Sequence, residues 1–179
     1  MQSLIEAARS SGEGLPPVER WHPEYCGEMD MVIRRDGSWW HEGTRIGREA
    51  LVRLFARILR KDEDGETYLV TPVEKIRIEV EAGHFLAVRV DVAGEGEAQK
   101  LIFTTNMDES VIAGSDHPIR MDFNAEGEPE PFVHVRGRLE ALMTRPCFYE
   151  LAALAVPGPE GRMGVWSEGR FFALEKGEG

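Results

Sequence analysis

Apolar and polar residues alternate in short runs over most of the chain, and a period of two predicts a protein built mainly from strands. The alternation is clearest where Ile76, Ile78 and Val80 are set against Arg77, Glu79 and Glu81, the mark of a sheet with one wet face. A first strand is read at 30–35, followed by Asp36-Gly37 and then Trp39 and Trp40, a spacing that predicts a tight hairpin. Further strands are predicted at 68–71, 75–81, 85–92, 100–105, 111–113, 119–123 and 132–135, separated by turn-forming segments. Two stretches carry helical spacing instead. From 47 to 61, Ala50, Leu51, Leu54, Phe55, Ile58 and Leu59 recur every three or four residues, and a second helix is predicted over 138–156, interrupted at Pro146. A last pair of strands is expected at 163–166 and 171–174, and the tail 175–179 is expected to be mobile. Residues 1–22 combine a short helical piece at 4–9 with Ser10, Ser11, Gly12, Gly14, Pro16 and Pro17, and read as an amino-terminal arm.

Self-similarity adds a second layer. Met31, Gly37, Gly47 and Arg48 recur as Met121, Gly127, Gly137 and Arg138, at a constant spacing of 90 residues. Gly83-His84-Phe85-Leu86-Ala87-Val88 returns as Gly169-Arg170-Phe171-Phe172-Ala173-Leu174 at a spacing of 86. The pattern predicts a duplicated hairpin-helix-hairpin motif, with ligands favouring the junction of the copies.

Composition narrows the class. With 42% hydrophobic and 30% charged residues in 179, the chain is long enough to fold around a core without a metal or disulfide staple. No apolar run approaches the roughly 20 residues that span a bilayer. The first residues lack a basic start and a long apolar run, so the reading is cytoplasmic rather than exported, with no membrane association. A net charge of −11 disfavours nucleic acid as a partner. One local exception is Arg53, Arg57 and Arg60, which would form a basic stripe on the first helix, flanked by Arg48 and Lys61. Cys26 and Cys147 have no redox or metal spacing, and Cys147 beside Pro146 reads as packing rather than as a nucleophile.

Known catalytic patterns fail on spacing. His41-Glu42 lacks a second histidine where Arg45 stands, so a zincin is rejected, and Gly94-Glu95-Gly96 lacks the third glycine of a dinucleotide loop. Three polar clusters remain at predicted strand ends, where side chains from separate segments can converge. They are Trp39 to Glu42, Thr71 to Lys75, and Thr104 to Asp108 together with Asp116 to Arg120. Their bland reading is turn chemistry, since Thr71, Asn106 and Asp108 are types that satisfy backbone groups. Their functional reading is a shared polar pocket, in which one of the two adjacent tryptophans faces outward as a flat platform.

The strings RRDGSWWHEGTRIGREALVRLFARILRKDEDGETYLVTPVEKIRIEVE, LIFTTNMD, HPIR and VHVRGRLEALMTRPCFYEL resemble the bacterial family called domain of unknown function 1285, over about residues 16 to 160. The resemblance implies an α+β fold with a duplicated motif, a carboxy-terminal domain like the pleckstrin-homology fold, a ligand site where the domains meet, and a signalling or regulatory role. Carried onto this sequence, it singles out Trp40, His41, Glu42, Thr71, Pro72, Glu74, Lys75, Thr105, Asn106, Asp108, His117, Pro118 and Arg120. It also moves the domain boundary. The repeat would cut near Gly94, whereas a pleckstrin-like antiparallel sheet capped by a helix needs its strands first, which puts an amino-terminal α+β domain at 23–72 and the pleckstrin-like domain at 73–179.

The resulting expectation leans away from an enzyme and towards a binding protein, with no cofactor and no metal, that takes a peptide, a nucleotide or a small anionic ligand. Lys75, Arg120 and Arg45 would face an anion, Trp40 would stack, and Thr105 and Asn106 would supply hydrogen bonds. A protein partner stays open. One alternative is a small hydrolase-like or metal-dependent enzyme using His41 or His117 with Glu42 or Asp108. A second is nucleic-acid binding through Arg53, Arg57 and Arg60.

Overall fold

The computed structural model describes residues 1–10, 12 and 14–177. Ser11 of the arm, and Glu178 and Gly179 of the tail expected to be mobile, lie outside the described residues. The chain forms two compact units, Met1–Ala82 with Gly137–Leu139, and Gly83–Arg136 with Glu140–Gly179.

The first unit begins with α1 (Gln2–Ser10), which buries Leu4 and Ala8, and a single 3-10 turn at Val18–Arg20. Strands β1 (Tyr25–Ile33), β2 (Trp39–His41) and β3 (Thr44–Arg45) precede α2 (Glu49–Ala56), and β4 (Leu59–Lys61), β5 (Thr67–Val70) and β6 (Lys75–Val80) follow it. They make a six-stranded sheet in the order β3-β2-β1-β6-β5-β4, antiparallel except for the central β1–β6 pair. Met31, Ile33, Trp39 and Leu69 are fully or almost fully buried with Phe55 of α2, whose ring stacks on Trp39 at 6.3 Å between centroids. Burying side chains of this size is worth roughly 1.5–3 kcal/mol each. The adjacent Trp40 is only half-buried, as strand alternation requires.

Helix α2 is shorter than the 47–61 expected. Ile58, Leu59 and Arg60 are consecutive buried residues, a pattern that a helix stripe does not give and a covered strand does, and Leu59 pairs with Leu69. The supposed basic stripe is therefore not one helix face. Arg57 donates to the carbonyls of Gly12 and Gly14, and Arg60 to those of Val18 and Trp21 at 2.7 Å, so both fasten the amino-terminal arm.

The second unit contains β7 (Phe85–Ala93), β8 (Lys100–Thr105), β9 (Ser110–Ile112), β10 (Ile119–Phe123), β11 (Pro129–Arg136) and, from Glu140 on, β12 (Leu139–Met143). The order β10-β11-β12-β7-β8-β9 again places a parallel pair, β7 with β12, at the centre. Each sheet thus joins two three-stranded groups through the first strand of one and the last of the other. Duplication is present at the level of topology, but β1 corresponds to β7, whereas the 90-residue spacing matches β1 with β10. The sheet is mixed, a departure from the antiparallel sheet expected of a pleckstrin-like unit. Then come α3 (Arg145–Ala152), capped by Thr144 Oγ1 accepting from the Cys147 amide at 3.3 Å, and a small sheet of β13 (Val156–Pro157), β14 (Met163–Ser167) and β15 (Arg170–Ala173).

Residues 139–143, expected as the start of a helix, are strand. Leu139, Ala141, Leu142 and Met143 are all buried, and a short apolar run covered on both faces has no periodicity to tell strand from helix. The boundary lies between Ala82 and Gly83 rather than near Pro72, because β6 completes the first sheet.

One turn recurs four times. In 34–38, 62–66, 105–109 and 124–128 the first amide donates to the fifth carbonyl and the fourth amide to the first carbonyl. The fourth residue is left-handed each time: Gly37, Gly65, Asp108 and Gly127, at φ of 84, 82, 62 and 79 degrees. This is the three-residue hairpin loop closed by a left-handed residue. The 90-residue similarity of Gly37 to Gly127 is therefore repetition of a turn.

Candidate functional site

The central pair of the first sheet is out of step. Tyr25 pairs with Lys75, Glu28 with Arg77 and Val32 with Glu79, so β1 runs three and then four residues while β6 advances two each time. Such bulges bend a strand and interrupt its ladder, and they concentrate beside sites. Here they coincide with a depression of about 260 Å³ lined by Glu28, Met29, Asp30, Met31, Val32, Arg77, Ile78 and Glu79. Of its apolar lining residues Met29 and Val32 are half-buried while Met31 and Ile78 are buried in the core, and its charges are three carboxylates against one guanidinium. Arg77 is itself paired with Glu28 and with Glu66, the latter at 3.5 Å. Hydrogen bonding to Glu28 is the main reason that its guanidinium is held even more firmly protonated than usual.

Beside this depression, Lys75 Nζ lies 3.0 Å from Asp62 Oδ2 and 4.3 Å from the centre of the Tyr68 ring. Asp62 also receives Arg60 Nε at 2.6 Å. Burial alone would raise the Asp62 carboxyl, but the hydrogen bonds from Arg60 and Lys75 outweigh it and hold the group below the ordinary aspartate range. Tyr68 donates to Asp64 at 2.5 Å, and that bond, aided by burial, pushes the phenol up to about 12.

On the other side of β1, Trp40 pairs with Val32 and Arg45, and His41 with Met31 and Thr44. The Trp40 indole donates to Ser38 Oγ at 2.8 Å, and Arg34 lies 3.7 Å over its ring. Glu42 is a left-handed turn residue at φ 48 degrees whose amide donates to the Asp30 carbonyl, and its carboxylate stands 3.9 Å from His41 Nε2. Thr71 is buried in a turn, with Oγ1 accepting from the amides of Val73 and Glu74 at 3.3 and 3.1 Å, and the Glu74 carboxylate accepts from Ser3 Oγ.

In the second unit, buried Thr105 opens the turn that Asp108 closes and accepts from the Met107 amide at 3.2 Å. Asn106 bridges to β7, its Oδ1 accepting from the Leu86 amide at 3.1 Å and its amide donating to the Leu86 carbonyl. Arg120 is bidentate on Glu140, both contacts at 3.0 Å, reaches Asp122 at 2.6 Å and lies over the Phe132 ring. The bonds to Glu140, against the opposing effect of burial, fix its charge. The imidazole of His117 faces that of His134, with 3.1 Å between the two Nδ1 atoms.

The sequence candidates thus divide between the units: Trp40, His41, Glu42, Thr71, Glu74 and Lys75 in the first, Thr105, Asn106, Asp108, His117 and Arg120 in the second. Sequence reasoning did not select Glu28, Asp30, Arg77 or Glu79 for the site. A usable signal was the alternation Glu28-Met29-Asp30-Met31, a strand with charge on one face, but the register slip that opens the depression has no local signature. Cys147 is buried on α3, and desolvation pushes its thiol up to about 12, which fits packing rather than nucleophilic chemistry.

Two family profiles match the chain: the domain of unknown function (DUF1285), N-terminal domain, over residues 16–83, and the protein of unknown function (DUF1285), C-terminal domain, over 84–174. Among solved structures, the chain is similar to a DUF1285 family protein from Silicibacter pomeroyi DSS-3. They share 48% identity with a TM-score of 0.90, over 96% of this chain and 94% of that one. A DUF1285 family protein from Shewanella baltica OS155 matches at 25% identity and a TM-score of 0.52, over 68% of this chain and 89% of that one. No curated protein matches. Among the described residues, no helix is long and apolar enough to cross a membrane.

Proposed function

The chain belongs to the DUF1285 family, and from that premise we propose that it is a non-catalytic recognition protein of regulatory or signalling type, whose first unit takes a basic peptide segment in the depression between β1 and β6. The observation that carries this reading is the charge of the depression, three carboxylates to one guanidinium. A lysine or arginine side chain fits that lining, with its aliphatic stem against the half-buried Met29 and Val32 and its cationic head among the exposed Glu28, Asp30 and Glu79. Methionine adapts to varied side chains, which suits a surface that reads a peptide. An anion is served less well. To bind one, Lys75 must leave Asp62, Arg120 must leave Glu140 and Asp122, and Arg77 must leave Glu28 and Glu66. A nucleotide is therefore the weaker of the ligands named from the sequence.

The test is a thermal-shift measurement on the full chain with a pool of short extended peptides centred on arginine, a matched pool centred on glutamate, and ATP and GTP. A ligand that binds only the folded state raises the melting temperature by mass action. The arginine pool is expected to raise it and the others to leave it unchanged, and Glu79→Lys, at an exposed position, is expected to abolish the response. A response to nucleotides without one to the arginine pool overturns the reading.

A further inference from the structure

We propose that His117 and His134 form a two-imidazole seat for a divalent transition-metal ion of the zinc, nickel or copper type. The two histidines are 17 residues apart and meet through the β10–β11 pairing, in which Ile119 lies opposite Val133 and the His134 amide donates to the Pro118 carbonyl. Their Nδ1 atoms are 3.1 Å apart, and the carbonyl oxygen of His134 is 3.2 Å from the same His117 nitrogen. The rings are half-buried, tilted by 34 degrees, with centroids 5.2 Å apart.

Two neutral imidazoles placed this way can share only one proton on the line between them, one nitrogen donating and the other accepting. A metal ion uses both lone pairs at once. With metal–nitrogen bonds of about 2.0–2.1 Å, nitrogens 3.1 Å apart subtend an angle of roughly 100 degrees at the ion, between the values for square-planar and tetrahedral centres. Imidazole nitrogen suits zinc, copper and nickel, whereas magnesium and calcium prefer oxygen. The β10–β11 pairing sets the spacing in advance, so binding needs little rearrangement. Water or a donor from a ligand would complete the coordination of the ion. The seat lies in the second unit and is independent of the peptide reading.

The experiment is calorimetric titration of the full chain, free of affinity tag and in a non-coordinating buffer, with zinc, nickel and copper ions, and with magnesium and calcium as controls. One equivalent of at least one transition ion is expected to bind, and neither control. His117→Gln keeps a hydrogen-bonding group against His134 but loses the imidazole, and is expected to weaken binding about tenfold or more with the melting temperature nearly unchanged. His134→Gln should do the same, and if it fails to fold, His117→Gln alone decides. His22→Ala and His41→Ala should leave the affinity within about twofold. The absence of transition-ion binding to the wild type, or binding unchanged in His117→Gln, overturns the proposal.

Discussion

Ser167 Oγ accepts the amide hydrogen bond of Leu101 at 3.0 Å, so a side chain of β14 closes the end of the β8–β9 ladder. The same hydroxyl donates to the Ala113 carbonyl at 2.7 Å, and Ser167 is fully buried. Ser167→Ala would strand a buried amide and a buried carbonyl. It is expected to destabilise the chain by about 2 kcal/mol, measured as a shift in urea midpoint without a change in slope.

The Asp62 carboxylate joins Arg60 of β4 to Lys75 of β6. Its folded titration lies below the ordinary value of 3.8, so the unfolded chain binds more protons as the pH falls towards 4. The contribution of Asp62 is present above that value and is lost as pH drops through the lower, folded one. Asp62→Asn is expected to cost about 1–3 kcal/mol at neutral pH, because it takes the carboxylate from the buried Arg60. Wild type and variant should converge on acidification, read from urea melts at several pH values.

Glu42 occupies a left-handed position beside Gly43 in a two-residue turn. Left-handed backbone costs a residue with a Cβ about 1–2 kcal/mol unless local contacts offset it. Glu42→Gly is expected to raise stability by about 0.5–1 kcal/mol, measured by chemical denaturation. A loss of stability would mean that the Glu42 carboxylate does more than occupy a turn.

The two cysteines are expected to separate under a thiol reagent. Cys26 is exposed, whereas Cys147 is buried with its thiol pushed up to about 12. Native protein should release one fast equivalent of thiol, and the second only on unfolding.

The elements with local chemistry were legible. Asp36 accepts from the Ser38 amide at 3.0 Å, and Gly37 takes the left-handed conformation, so Asp-Gly announced its hairpin. The alternation of Ile76 and Ile78 with Arg77 and Glu79 likewise announced β6. Residues 58–60 and 139–143 were misread because strands buried on both faces lose the polar beats that reveal a period. The repeat was sensed through its turns, and turn residues report a turn's shape, not its place in a sheet. Of the candidate residues, Thr71, Asn106 and Asp108 are found in turns as their chemistry suggests. The depression depends on a parallel pairing between residues some fifty positions apart, and the His117–His134 contact on a cross-strand register, neither of which is written in local spacing.

The most direct test of peptide recognition is amide shift mapping by nuclear magnetic resonance, with an arginine-centred peptide titrated into the labelled full chain. Saturable shifts are expected, concentrated at Glu28, Asp30, Arg77 and Glu79 on β1 and β6 and absent in Glu79→Lys. Saturable shifts centred elsewhere, or none while the chain remains folded, would contradict it.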